Sequence, residues 1–210
     1  MNYLELIIPV SKFNKLKNVY DLISDDIIDC KRKIVKDYYE FNDFIGDITK
    51  NIHWTWAKCP SSLTIFKQFL EPYKIIIDTY FKNTFFVKGC SFITLFEKEV
   101  LDINCDFHYD ITSHYDDPDE CNTLTIVFPL YFEEGMGNLE FIENEETKVF
   151  NYMKNKMIIW DACKFKHRTQ PYVLKKKMKR VLVSINLVSK KEWAVKNMEK
   201  SLERQGNLYN

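Results

Sequence analysis

Beyond Asn83 the chain changes its period. Phe85–Glu97 alternates apolar and polar residues, enriched in aromatic and β-branched types, which is the two-residue repeat of a strand with one buried face. Comparable short runs follow at Asp106–Ile111, Thr123–Leu130, Asn138–Glu143, Thr147–Asn151, Lys156–Trp160, Arg168–Val173 and Arg180–Val188. Turn-like Asp116-Asp117-Pro118-Asp119, Gly135-Met136-Gly137 and Glu143-Asn144-Glu145 separate several of them. No helical repeat intervenes, so the pattern points to an antiparallel jelly roll or barrel-like sandwich and away from alternating strand–helix units.

The N-terminal part reads differently. Ser11 is a candidate helix cap before Leu16, Val19, Tyr20 and Ile23, which recur at three- and four-residue intervals. Ile27–Tyr39 is a second helix candidate, and aromatic-rich Phe41–Trp56 fits either state. Pro60-Ser61-Ser62 starts another helix with an apolar stripe through Ile65, Phe66, Phe69, Leu70 and Tyr73, which Pro72 kinks or divides. The sequence thus predicts a single domain over 1–210: a mostly helical support over 1–84 packed on the sheet, a mainly β jelly-roll core over 85–189, and a polar helix and tail over 190–210 carrying Trp193 and Met198.

Composition bounds the partners. Apolar residues make up 46% of the chain, enough for one buried core, and thirty basic residues balance thirty acidic ones. No global field therefore advertises a nucleic acid or a membrane. The six cysteines are scattered and read as reduced thiols of a cytoplasmic protein. Leu4–Val10 is interrupted by Glu5 and has no basic lead, so no signal peptide or membrane span is expected. Abundant Asn, Lys, Ile, Phe and Tyr suggest an AT-rich genome, viral or microbial.

Chemistry concentrates between Asp106 and Asn186. His108 and Asp110 are two apart, so on an extended backbone both side chains lie on one face and can chelate one ion. His167, brought in by the fold, would complete two imidazoles and a carboxylate with open coordination positions, the arrangement of a non-heme Fe(II) oxygenase. On the last strand Arg180, Leu182, Ser184 and Asn186 share a face, and an arginine pointing inward requires an anionic partner. A dicarboxylate held by the metal at one end supplies that partner at the other.

These residues resemble the catalytic core of the Fe(II)/2-oxoglutarate-dependent dioxygenases, and among them most the prolyl hydroxylase branch. The family's ordered pattern is met by His108-Tyr109-Asp110, Thr125–Leu130, Gly137-Asn138-Leu139-Glu140-Phe141, Ile158-Ile159-Trp160-Asp161, His167-Arg168-Thr169-Gln170-Pro171, and Arg180 with Ser184. The match covers about two fifths of the chain and leaves the N-terminal half unassigned. Met136-Gly137 replaces a paired glycine, Asn155 stands at a turn where glycine is common, and Lys175–Lys179 lengthens the approach to Arg180. The resemblance implies Fe(II) ligands at His108, Asp110 and His167, and 2-oxoglutarate bound by Arg180 with help from Ser184 and Thr125. It further implies dioxygen as co-substrate, ascorbate as an accompanying reductant, and hydroxylation of a substrate C–H bond. A protein or peptide substrate, prolyl first, is expected ahead of a nucleic acid.

Other readings of the same residues stand beside this one. His114-Tyr115-Asp116 repeats the ligand motif; His108 is preferred because Ile103–Phe107 leads into it as a strand, whereas His114 sits in turn-like sequence. Cys105, His108, Cys163 and His167 have permissible spacings for a structural zinc site, although over fifty strand-rich residues separate the two pairs. A nucleic-acid demethylase or base hydroxylase would use Lys175–Arg180 on phosphate. Asp161 is a turn residue or supports a metal ligand, and His53, beside Trp54 and Trp56, is a packed histidine with a hydrogen-bond partner.

Overall fold

The computed structural model describes residues 3–47, 52–96, 101–111, 120–174 and 178–207. Its elements are β1 (Tyr3–Ile7), α1 (Val10–Ile28), β2 (Lys33–Lys36), β3 (Tyr39–Asp47), β4 (Ile52–Ala57), α2 (Pro60–Leu70), α3 (Lys74–Tyr80) and β5 (Phe86–Phe96). There follow β6 (Leu101–Ile103), β7 (Thr123–Tyr131), β8 (Leu139–Glu143), β9 (Glu146–Phe150), β10 (Lys156–Asp161), β11 (His167–Thr169), β12 (Tyr172–Leu174), β13 (Lys179–Val188) and α4 (Glu192–Arg204).

An eight-stranded sheet runs in the order β1-β10-β7-β13-β5-β4-β3-β2, with every neighbouring pair antiparallel. A smaller sheet, β11-β8-β9, faces it, and β12 pairs with β6. This is the expected jelly roll with flanking helices. The period-two alternation of β13 positions everything else. Val181, Val183, Ile185 and Leu187 pack with Phe13, Leu16, Tyr20 and Phe66 in the core beneath α1 and α2. Leu182 on the opposite face joins Leu139, Phe141 and Trp160 between the two sheets.

Two expectations for the N-terminal half are corrected. Ile27–Tyr39 is not a helix: α1 ends at Ile28, Cys30 enters the left-handed region at φ 57°, and β2 and β3 form a hairpin around Asp37 at φ 52°. Residues 1–84 therefore contribute four strands to the main sheet as well as helices. Ser11 is not the cap either, since α1 already starts at Val10 after Pro9 and no side chain caps it. Pro72 divides its helix as expected, within a one-turn 3-10 segment at Glu71–Tyr73 between α2 and α3.

Two details shape the inner face. Pro129 lies inside β7, where it has no N–H to offer β13, and the register slips between Val181 and Leu182 beside it. Gly137, at φ +72°, leads into β8; a Cβ there would lie 2.4 Å from the Tyr172 ring and 2.5 Å from the Gln170 carbonyl oxygen. Among the described residues no helix is long and apolar enough to cross a membrane.

Candidate metal centre

The expected strand over Asp106–Ile111 is an extended segment held to β11 by one antiparallel bridge. His108 N–H donates to the His167 carbonyl at 2.8 Å, and His167 N–H returns the bond at 2.9 Å. Residues so paired stand side by side, and the two imidazole centroids are 4.6 Å apart. Each ring donates from Nδ1 to a carbonyl two residues earlier, Asp106 for His108 and Phe165 for His167, both at 2.9 Å. A carbonyl only accepts, so both Nδ1 atoms carry the hydrogen and both Nε2 lone pairs are free to bind a metal.

Asp110 completes the group. Its Oδ2 accepts from Thr125 Oγ1 at 2.7 Å and from Trp160 Nε1 at 2.9 Å, while Oδ1 lies 3.5 Å from His167 Nε2. The carboxylate is thus divided, one oxygen held by protein donors and the other turned to the histidines. Ligand atoms of His108, Asp110 and His167 all lie within 4.8 Å of one another. Burial pushes the His167 imidazole below its ordinary pKa against the opposing pull of Asp110, which favours the neutral, ligating form.

A cavity of about 310 Å³ joins this group to Arg180, with Thr125, Ser184 and Asn186 on its wall. Arg180 is 3% exposed and donates from Nη2 to the Gly137 carbonyl at 3.2 Å. Its guanidinium lies 5.5 Å from the Tyr152 ring centroid, 5.6 Å from Tyr172 and 5.9 Å from Phe132. Among the described residues no carboxylate pairs with it, and Arg180 Nε and Tyr172 OH are buried without hydrogen-bond partners. Aromatic faces stabilise a cation only in part, so the site favours an anion that also accepts from these two donors.

Not every expected residue serves as the sequence suggested. Thr125 lines the cavity, but its hydroxyl hydrogen is engaged by Asp110. Asp161 accepts from the Cys163 N–H at 3.0 Å as a buried turn residue, and burial raises its carboxyl pKa. His53 pairs through Nδ1 with Asp43 at 2.6 Å, both buried. Cys105 and Cys163 are outside the metal-capable group, and Cys163 Sγ contacts Thr123 Oγ1 at 3.1 Å, so the zinc alternative finds no four-ligand cluster among the described residues. His114, Asp116 and Lys175–Lys177 lie outside the described residues. Sequence reasoning missed Tyr152 and Tyr172 around Arg180, and missed that Met198, Ser201, Leu202 and Gln205 of the C-terminal segment wall the cavity. Tyr172 had a signal, since it directly follows the His167–Pro171 motif; the others had none.

No protein-family model matches the chain. A search of curated proteins likewise finds no match. Solved structures do match. A prolyl-4-hydroxylase from Pseudomonas putida superposes with a TM-score of 0.56 at 9% identity, covering 90% of this chain and 94% of that one. The fold is that of the Fe(II)/2-oxoglutarate oxygenases. An oxidoreductase of the 2OG-Fe(II) oxygenase family from Burkholderia pseudomallei gives 0.55 at 13% identity, covering 89% and 85%. HygX from Streptomyces hygroscopicus, with nickel and 2-oxoglutarate bound, gives 0.55 at 8%, covering 90% and 83%.

The residues present fit the groups this oxygenase fold implies. Two free imidazole Nε2 atoms and one free carboxylate oxygen form a donor set suited to non-heme iron. The partnerless donors of Arg180 and Tyr172 suit the far carboxylate of a dicarboxylic oxoacid.

Proposed function

We propose that this chain is an Fe(II)/2-oxoglutarate-dependent oxygenase that hydroxylates an aliphatic C–H bond of a side chain carried on a protein or peptide. One observation carries the reading: a two-histidine, one-carboxylate group and a buried arginine with no acidic partner among the described residues open onto the same cavity. In this reading His108, Asp110 and His167 hold Fe(II), and Arg180 with Tyr172 holds the distal carboxylate of 2-oxoglutarate, Ser184 lying between. Bound there, iron, the oxoacid and dioxygen supply the oxidising power, the oxoacid leaving as succinate and carbon dioxide.

The chain's own residues bind, orient and exclude water. Thr125 and Trp160 keep one oxygen of Asp110 occupied, so the carboxylate offers the metal a single oxygen. The Nδ1 bonds of His108 and His167 hold both imidazoles in the ligating tautomer. Leu139, Leu182 and Val127 make the cavity wall apolar, which strengthens every charge interaction within it. The resemblance to the prolyl hydroxylase branch makes proline the reference residue against which other peptide side chains are compared.

Succinate formation from 2-oxoglutarate tests the proposal. It should require Fe(II) and dioxygen and be abolished by His167→Ala. Turnover undiminished in that variant would reject the reading.

A further inference from the structure

The hydrogen-bond chain behind Asp110 does not stop at Thr125. Asn186, 7% exposed, reaches Thr125 Oγ1 from Nδ2 at 3.5 Å. Thr125 has one hydroxyl hydrogen and gives it to Asp110, so towards Asn186 it can only accept. This settles which way the amide points: NH2 towards Thr125, carbonyl oxygen away. Flipping it would set two acceptors against each other. Asn186 Oδ1 is then a buried acceptor with no donor among the described residues.

Asn186 lines the cavity that the metal ligands line, together with Trp54, Met198, Ser201, Leu202 and Gln205, and none of these donates to its Oδ1. Its partner across β13–β5 is Gly89, where a Cβ would lie 2.8 Å from Leu202 and 3.2 Å from Trp56. The helix α4 is fastened across this end: Ser201 Oγ donates to the Asp110 carbonyl at 2.7 Å, and Trp56 Nε1 donates to the Gln205 carbonyl at 2.8 Å. The cavity, about 310 Å³, lies at the lower limit of small-molecule sites, roughly 300–1,000 Å³.

We propose that Asn186 Oδ1 is a specificity-determining acceptor. The substrate sets a side chain bearing an N–H or O–H donor against it, beside the C–H bond presented to the metal. The inference rests on the oxygenase reading above and narrows it. A proline within a peptide has no polar hydrogen to give, so the preferred target is a donor-bearing residue such as asparagine, lysine or histidine. A site built around a buried, unpaired acceptor favours ligands that pair it over ligands that leave it unpaired.

Blocked alanine-based peptides, varied at one central position through the natural amino acids, test this on the full chain. Two readouts are taken: succinate release above the peptide-free rate with Fe(II), and calorimetric affinity for the protein loaded with Zn(II) and 2-oxoglutarate. A donor-bearing central residue should exceed its apolar isostere, asparagine against leucine, and exceed proline, by about tenfold or more in both. Asn186→Leu should erase that difference, whereas Asn186→Asp, which keeps an acceptor, should retain it. If Asn186→Leu fails to fold, the wild-type ranking alone decides. Leucine or proline matching the donor-bearing residues, or an oligonucleotide acting where no donor-bearing peptide does, overturns the assignment of Asn186 while peptide-free succinate release leaves the oxygenase reading standing. Wild-type protein that binds no metal and consumes no oxoacid overturns both.

Discussion

His108 and His167 exchange backbone hydrogen bonds across the single bridge between an extended segment and β11, at 2.8 and 2.9 Å. The main chain therefore sets the spacing of the two imidazoles before any metal arrives. Replacing either ring by alanine leaves those backbone bonds intact but removes a ligand. His108→Ala and His167→Ala should each weaken Co(II) or Ni(II) binding by more than about 100-fold, beyond what loss of a supporting hydrogen bond does. Melting temperature should move little. Titration calorimetry with circular dichroism checks both.

Trp160 and Thr125 both donate to Asp110 Oδ2, and the Trp160 ring also packs against the His167 imidazole, centroids 4.9 Å apart. Trp160→Phe and Thr125→Val each remove one of the two donors that hold that oxygen, leaving it less firmly held away from the ion. Metal affinity should fall by about 10–100-fold, and the visible spectrum of the Co(II) protein should change with the altered carboxylate geometry. An unchanged spectrum in both variants would show that the donors do not shape the site.

Arg180 gives a prediction of opposite sign for stability and binding. Without the diacid its guanidinium is buried among aromatic rings with no carboxylate partner among the described residues. Arg180→Met should therefore melt no lower than the wild type in the absence of ligand. Adding 2-oxoglutarate to the metal-loaded protein should raise the wild-type melting temperature and leave that of the variant nearly unchanged. Thermal melts with and without the oxoacid provide the comparison.

Cys59 caps the N-terminus of α2 and accepts from the Ser62 N–H. Burial pushes its thiol up, but hydrogen bonds from Ser62 and its neighbours outweigh this and bring the pKa down to about 7. Because the thiolate is the nucleophile, its alkylation by iodoacetamide should rise with pH and reach half its maximal rate near pH 7. Cys90, fully buried and pushed far up, should react only on unfolding. Peptide mapping across a pH series measures both.

Legibility in the sequence followed the strength of local periodicity. β5, β7, β10 and β13 are long alternating or apolar runs, and their predicted limits fall within a residue or two of those observed. β2 and β3 were hidden because the break after α1 depends on left-handed Cys30 and Asp37, neither of which is a glycine. Asn155, in contrast, takes a positive φ of 66° where the sequence suggested a glycine-like turn. The spacing of His108 and Asp110 placed two candidate ligands on one segment, and the alternation of β13 placed Arg180, Ser184 and Asn186 on one face. Tyr152, Ser201 and Leu202 reach the cavity only through tertiary packing, for which no local pattern exists.

The most direct test is an anaerobic titration of the Fe(II)-loaded protein with 2-oxoglutarate, followed by visible absorption. A chelating oxoacid on a two-histidine, one-carboxylate iron gives a metal-to-ligand charge-transfer band. That band should appear in the wild type, be absent in His167→Ala, and need at least about tenfold more oxoacid in Arg180→Met, as expected for lost hydrogen bonds to a charged group. A wild-type titration that stays colourless, or a band indifferent to both substitutions, would contradict the account.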